Sequence, residues 1–209
     1  MRIRHVFWDL GGTLVDSYPS IRRAFLGVLE AHRALLTEPE LQRLLNASIG
    51  STIDVLAARY GIEPQEFHDA YERLKREWAQ TPAPIMPGAM RAMNEVRRLR
   101  GMNLVVTNRD EASATMLIRV TGLRVDDVVC ASETMPRKPD PSMHLELLRR
   151  HGLDPRECLG VGDRDLDTLA ATAAGLRAVQ LHTPGSPLPE GVQAIGSLID
   201  LQRLLHPEH

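Results

Sequence analysis

From Gly88 onward the chain repeats one rhythm: a stretch with helical spacing of apolar residues, then a short apolar run, then another helical stretch. The spacing predicts helix 88–100, strand 102–107, helix 111–121, strand 127–131, helix 141–151, strand 157–162, helix 165–175, strand 177–181 and a last helix near 197–205. An antiparallel neighbour needs only a tight turn, whereas strands joined by ten or more helical residues return parallel to one another. A further apolar run over residues 4–9, with Val6-Phe7-Trp8 leading into Asp9, predicts one more buried strand. The expected class is therefore α/β, a doubly wound parallel-sheet, Rossmann-like core with helices on both faces.

Between that first strand and the later rhythm lies a stretch of different character. Ile21, Ala24, Phe25, Val28 and Leu29 recur at helical spacing, as do Leu41, Leu44 and Leu45, then Ile53, Leu56 and Ala57, then Phe67, Ala70, Tyr71 and Leu74. Gly50, Gly61 and Pro64 are the expected breaks between four helices. The cluster Thr81-Pro82-Ala83-Pro84-Ile85-Met86-Pro87-Gly88 cannot continue a helix and reads as a hinge. All eight aromatic residues fall at or before Trp78, so the composition changes at the same place. The expected organisation is a core of residues 1–15 and 85–209 with an all-helical cap, residues 16–84, inserted after the first strand.

A net charge of −2, from 25 Lys+Arg against 27 Asp+Glu, gives no reason to expect nucleic acid or an anionic membrane as partner, and leaves a small anionic substrate open. The apolar runs are strand-sized and Met1-Arg2-Ile3-Arg4 leads directly into one, so a cytoplasmic monomer or homodimer is expected. Cys130 and Cys158 stand in apolar runs without the spacing of a zinc site and read as buried reduced thiols. Lysine occurs only at Lys75 and Lys138, in a chain that otherwise uses arginine. Lys75, within Arg73-Leu74-Lys75-Arg76-Glu77, reads as part of a solvated helix face.

Open parallel sheets bind ligands at the carboxyl ends of their strands. At the predicted strand exits stand Asp9, the pair Thr107-Asn108, and Asp163 with Asp167 four residues on; Lys138 lies in Arg137-Lys138-Pro139-Asp140-Pro141. Singly, each has an ordinary explanation as a helix cap or a surface charge, and Arg109, Arg137 and Arg164 beside them read as surface charges.

Together, the order, the placement at strand ends and the flanking residues resemble the four motifs of the haloacid dehalogenase-like hydrolase superfamily, in particular its phosphoglycolate phosphatase-like members with a helical cap. The resemblance is densest in Asp9-Leu10-Gly11-Gly12-Thr13-Leu14-Val15-Asp16-Ser17 and in Gly160–Gly175. It implies that Asp9 is a nucleophile forming an aspartyl-phosphate. It implies that Thr107 and the amide of Asn108 donate to the phosphoryl oxygens and that Lys138 sets its ammonium against those oxygens and Asp9. Mg²⁺ would be held by Asp9, Asp163 and the carbonyl of residue 11, here Gly11, with Asp167 holding Lys138 or a metal-bound water. Gly12 permits the tight turn and the close approach of backbone to phosphate.

One position departs from the pattern. Where most phosphatases of the superfamily carry an acid/base Asp, this chain has Gly11. General acid/base catalysis contributes about 10²–10⁴-fold, so its loss weighs on esters with poor leaving groups and least on acyl phosphates, anhydrides and phenolic esters. Asp16 is the nearest candidate replacement acid. The expected function is a Mg²⁺-dependent phosphatase of a small phosphorylated metabolite, slow or selective for good leaving groups. Binding of a phosphorylated metabolite or partner without turnover stays open as the alternative.

Overall fold

The computed structural model describes residues 3–182 and 187–205. Its first compact unit comprises residues 1–15 and 84–209 and is built on six strands: β1 (His5–Trp8), β2 (Asn103–Thr107), β3 (Asp127–Cys130), β4 (Cys158–Gly162), β5 (Arg177–Leu181) and β6 (Gln193–Ile195). All pair in parallel, in the order β3-β2-β1-β4-β5-β6. The chain thus winds outward from β1 to β3, then returns to the other side of β1 with β4, so the direction of winding reverses between β1 and β4. Helices α5 (Ala89–Arg98), α6 (Glu111–Thr121), α7 (Ser142–His151), α8 (Asp165–Ala173) and α9 (Leu201–Leu205) belong to the same unit.

The central strands β1, β2 and β4 are buried along their whole length, as the unbroken apolar runs require. On one face Phe7, Leu104, Val106 and Val129 pack with Met143, Leu147 and Leu148 of α7 and with Ala171, Ala174 and Leu176 at α8 and its end. Strand alternation turns Trp8 to the other face. Its indole N–H meets Asn103 Oδ1 at 3.0 Å, and Asn103 Nδ2 donates to the carbonyl of Met93 on α5 at 3.1 Å, so this buried polar pair is satisfied.

Two glycines of β4 let α8 lie directly on the sheet. A Cβ at Gly160 would stand 2.3 Å from Ala171 Cβ, and one at Gly162 would stand 2.2 Å from Asp167 Cβ. Both approaches are far below ordinary contact, so only glycine fits. Among the described residues β6 is the one strand that the rhythm of the sequence did not predict: Gln193 and Ala194 are exposed and only Ile195 is buried, which leaves too little apolar pattern to read. The last helix is short, a 3₁₀ turn over Leu198–Asp200 running into α9.

The second unit, Asp16–Ala83, holds α1 (Tyr18–Ala31), α2 (Glu38–Leu45), α3 (Ile49–Tyr60) and α4 (Pro64–Trp78). Phe25 of α1 meets Phe67 of α4 edge-on at 5.5 Å in its buried interior, with Leu29, Leu41, Leu45, Ile53 and Leu56 around them also buried. Thr37 caps α2 with a reciprocal box to Glu40. Gly50 does not break the chain as expected; it lies inside α3, whose start is set by the Ser48 side chain accepting from Ser51 N–H at 3.0 Å. Lys75 is not a freely solvated side chain either: it pairs with Glu72 at 2.6 Å and lies 5.4 Å from the centre of the Tyr71 ring. No helix among the described residues is long and apolar enough to cross a membrane.

Gly160→Ala should lower stability by about 1–3 kcal/mol, because the added methyl overpacks the contact between α8 and β4. Ala171→Gly in the same chain should recover part of that loss. Urea denaturation of the two single variants, the double variant and the parent chain measures this, and a Gly160→Ala variant as stable as the parent would show that α8 is not held against the strand.

Candidate active site

The strand exits nearest the reversal point carry most of the side chains that matter. Asp9 directly follows β1, Thr107 ends β2 and is followed by Asn108, and Asp163 directly follows β4. Asp167 sits in the first turn of α8, and Lys138 on the irregular segment between β3 and α7. Asp9, Thr107, Lys138, Asp163 and Asp167 are all at least nineteen-twentieths buried. Burial of so many polar groups in one place requires that they satisfy one another or hold something charged.

Lys138 supplies most of that satisfaction. Its Nζ donates to Asp9 Oδ1 at 2.6 Å and to the carbonyl of Val106 at 2.9 Å, and forms an ion pair with Asp167 Oδ1 at 2.5 Å. Burial works against its charge, but Asp167 and Asp9 outweigh that effect and hold its pKa above the ordinary lysine value. Burial also acts on Asp167, yet Lys138 and Arg164 keep that carboxyl below its usual range. Asp9 goes the other way: burial pushes it up, and Lys138 only partly opposes the push. His144 of α7 stacks on Phe7 at 5.8 Å; burial drives its pKa down to about 3, so it stays neutral beside the lysine. Burial pushes the Cys130 thiol up to about 11 and the Cys158 thiol to about 12, so neither offers a thiolate near neutral pH.

Asp163 is the least compensated of the carboxylates. Burial, followed by the nearby Asp167, raises its pKa to about 7. Thr13 Oγ1 donates to Asp163 Oδ1 at 3.1 Å. Asp9, Asp163 and Asp167 each present an oxygen within 4.8 Å of the others, and Asp9 Oδ2 has no hydrogen-bond partner. Three buried carboxylates, with Asp9 Oδ2 unpartnered and one buried ammonium opposing them, fit a hard divalent cation by donor type and by charge.

Other predicted residues take different positions. Gly12 turns with φ 92°, as the tight turn requires, but its N–H donates to Val15 O at 2.8 Å within that turn. Gly11 pairs with Val15 in an isolated bridge and its φ is not in the left-handed region. The Thr107 hydroxyl accepts from Arg109 N–H at 3.2 Å. The Asn108 side chain turns to the backbone of Lys138. Arg164 is not a surface charge: it is half-buried and its positive charge acts on all three carboxylates.

Sequence reasoning missed two residues. Thr13 stood in the motif beside Asp9, but nothing in one dimension connects it to Asp163, 150 residues away. Gly162 preceded Asp163 in plain view, and its function as the space for the Asp167 side chain follows only from the packing of α8.

A family model described as haloacid dehalogenase-like hydrolase matches residues 3–175 of the chain. A phosphoglycolate phosphatase of Rhodospirillum rubrum is 32% identical over 206 residues, covering 92% of this chain and 84% of its own length. An N-acetylmuramic acid 6-phosphate phosphatase of Pseudomonas aeruginosa is 28% identical over 213 residues, covering 93% and 91%. Among solved structures, a hydrolase of the same family from Deinococcus radiodurans, with bound phosphate and sodium, has a TM-score of 0.81 at 22% identity over 99% of each chain.

The state of Asp163 gives a pH dependence with a definite sign. In the unfolded chain its carboxyl ionises near 3.8; folded without a cation it ionises near 7. Between those values the folded protein keeps a proton that the unfolded chain has lost, so this group disfavours folding increasingly as pH rises, and the effect levels above about 7. With a chelator present, the stability of the parent chain relative to Asp163→Asn should fall by up to about 4 kcal/mol across that window. Urea unfolding of both forms at a series of pH values tests this; a pH-independent difference would mean that ionised Asp163 is tolerated without a cation.

Proposed function

The chain belongs to the haloacid dehalogenase-like hydrolases, and we propose that it is a Mg²⁺-dependent phosphatase of a small phosphorylated metabolite, with Asp9 as the nucleophile. The observation that carries this reading is the buried group of Asp9, Asp163 and Asp167 around Lys138, beside the reversal point of the sheet. Residues 1–15 with 85–209 are read as the catalytic core and residues 16–84 as the cap. The likeness to the phosphatases of Rhodospirillum rubrum and Pseudomonas aeruginosa supports small phosphorylated acids and sugars as candidate substrates.

Each side chain has a separate task in this proposal. Lys138 orients the Asp9 carboxylate through Oδ1 for bond formation with phosphorus. Its ammonium also offsets the repulsion between that carboxylate and an incoming dianion. The Thr107 hydroxyl, already accepting from Arg109, directs its own hydrogen to a phosphoryl oxygen. Gly12 keeps the turn after Asp9 free of a side chain, so the phosphoryl group can come close. Thr13 holds Asp163, and Gly162 makes room for Asp167. Mg²⁺, held by Asp9, Asp163, the Gly11 carbonyl and Asp167 directly or through water, would supply the remaining positive charge on the phosphoryl oxygens.

The leaving group receives no proton from position 11. Substrates whose leaving groups depart as stable anions are therefore favoured, and loss of the phosphoryl group from Asp9 to water lacks the usual base. The test is turnover of acetyl phosphate, p-nitrophenyl phosphate and a simple alkyl phosphate, each with Mg²⁺ and with chelator. Turnover of the first two, abolished by chelator and by Asp9→Asn, supports the reading. Metal-independent turnover equal to that of Asp9→Asn refutes it, and tight binding of all three without turnover points to a binding protein.

Gly11→Asp should raise turnover of the alkyl phosphate by about 10²–10⁴-fold while changing acetyl phosphate little. A plot of rate against leaving-group pKa, steep for the parent and shallow for the variant, is the expected result. Parallel slopes would mean that another acid already serves the leaving group.

A further inference from the structure

The side chain of Asn108 has a place in the site that the phosphate-binding role expected of its main chain does not explain. Its Oδ1 accepts from Lys138 N–H at 2.8 Å and its Nδ2 donates to the Lys138 carbonyl at 3.3 Å. One carboxamide thus pairs with both main-chain groups of a single residue, as a neighbouring strand would. The orientation of the amide is set by its partners, since turning it over would place a donor against N–H and an acceptor against C=O.

Lys138 needs such a hold. It lies on a segment without regular secondary structure between β3 and α7, yet its ammonium sits 2.6 Å from Asp9 Oδ1 and 2.5 Å from Asp167 Oδ1. A lysine side chain has four rotatable carbons, so its tip is located only if its base is located. The far end is already gripped from β2, because Nζ donates to the carbonyl of Val106. Asn108 stands two residues further along, immediately after the strand. The exit of β2 therefore holds Lys138 at both ends, main chain and ammonium, while β2 itself is fixed to β1 by the pairing of Val105 with Trp8.

We propose that the Asn108 side chain is a positioning residue for Lys138, acting on turnover through the lysine and not through the phosphoryl group. This deepens the phosphatase reading and rests on it, with Asp9 and Lys138 in the parts given them above. Misplacement of a catalytic group by about 1 Å costs on the order of 10²-fold, so Asn108→Ala should lower kcat by about 10–100-fold. KM should rise, and the affinity for inorganic phosphate fall, by less than kcat falls, because the Asn108 carboxamide itself touches no ligand and any loss comes through the displaced ammonium.

The decisive experiment is a double-mutant cycle of Asn108→Ala and Lys138→Met, read as kcat for acetyl phosphate with saturating Mg²⁺ and as inorganic phosphate affinity by calorimetry. If Asn108 acts through the lysine, its substitution changes kcat no further once Lys138 is methionine. Equal losses in both backgrounds, or a loss of phosphate affinity that matches the loss of kcat in Asn108→Ala, overturn the proposal. Asn108→Asp supplies a second check, since it retains the acceptor for Lys138 N–H but sets an oxygen against the Lys138 carbonyl. It should be at least as impaired as alanine, and full activity would overturn the two-point hold. Should Lys138→Met not fold or not turn over measurably, the division between kcat and phosphate affinity in Asn108→Ala decides alone. Unchanged turnover in a folded Lys138→Met would instead refute the assignment of the site, which separates that failure from the failure of the present inference.

Discussion

The site depends on one buried cation. Lys138, almost without solvent exposure, joins Asp9 after β1, Asp167 on α8 and the Val106 carbonyl of β2. Removing one member of a buried ion pair commonly costs about 3–5 kcal/mol, because the partner is left charged and unpaired in a medium that cannot solvate it. Here two carboxylates share the ammonium, so the lysine is at once a structural tie between three elements and the positive charge closest to Asp9. Even so, it does not balance the cluster. Arg164 adds positive charge at its edge, and the unpartnered Oδ2 of Asp9 marks where more is needed.

The parallel sheet explains why these groups can meet. All strand exits of a parallel sheet lie at one edge, and the reversal of winding between β1 and β4 opens space there. Close packing then refines the arrangement. Gly160 and Gly162 bring α8 onto β4 at a distance that any side chain would prevent, and Asp167 is carried into the cluster as a result. Thr13 ties the turn after β1 to the exit of β4. Positions that look like passive spacers in the motif thus set the separation of the carboxylates.

Gly11 alters the chemistry without disturbing this frame. The turn that contains it closes through Gly12 N–H to Val15 O, while Lys138, Asp163 and Asp167 come from other elements. Under the proposed reading, cation binding and nucleophile placement survive the absence of a carboxylate at position 11, whereas protonation of the leaving group from that position does not. In such a site the substrate range follows from what the leaving group can do unaided.

The sequence alone determined the alternation of strands and helices, the helical insertion, and the strand-end positions of Asp9, Thr107 and Asp163. Periodicity and strand-exit placement are local properties, so they can be read along the chain. It did not reveal β6, whose single buried residue leaves no pattern, or the true start of α3, which depends on a serine cap and not on Gly50. Nor did it reveal that Asn108 turns its side chain to Lys138, that Thr13 reaches Asp163, or that Gly162 makes room for Asp167. Those contacts join residues far apart in the chain or depend on how closely one helix lies on one strand. Only the tertiary structure decides them, because hydrogen bonds and steric exclusion act through distances that residue order does not specify.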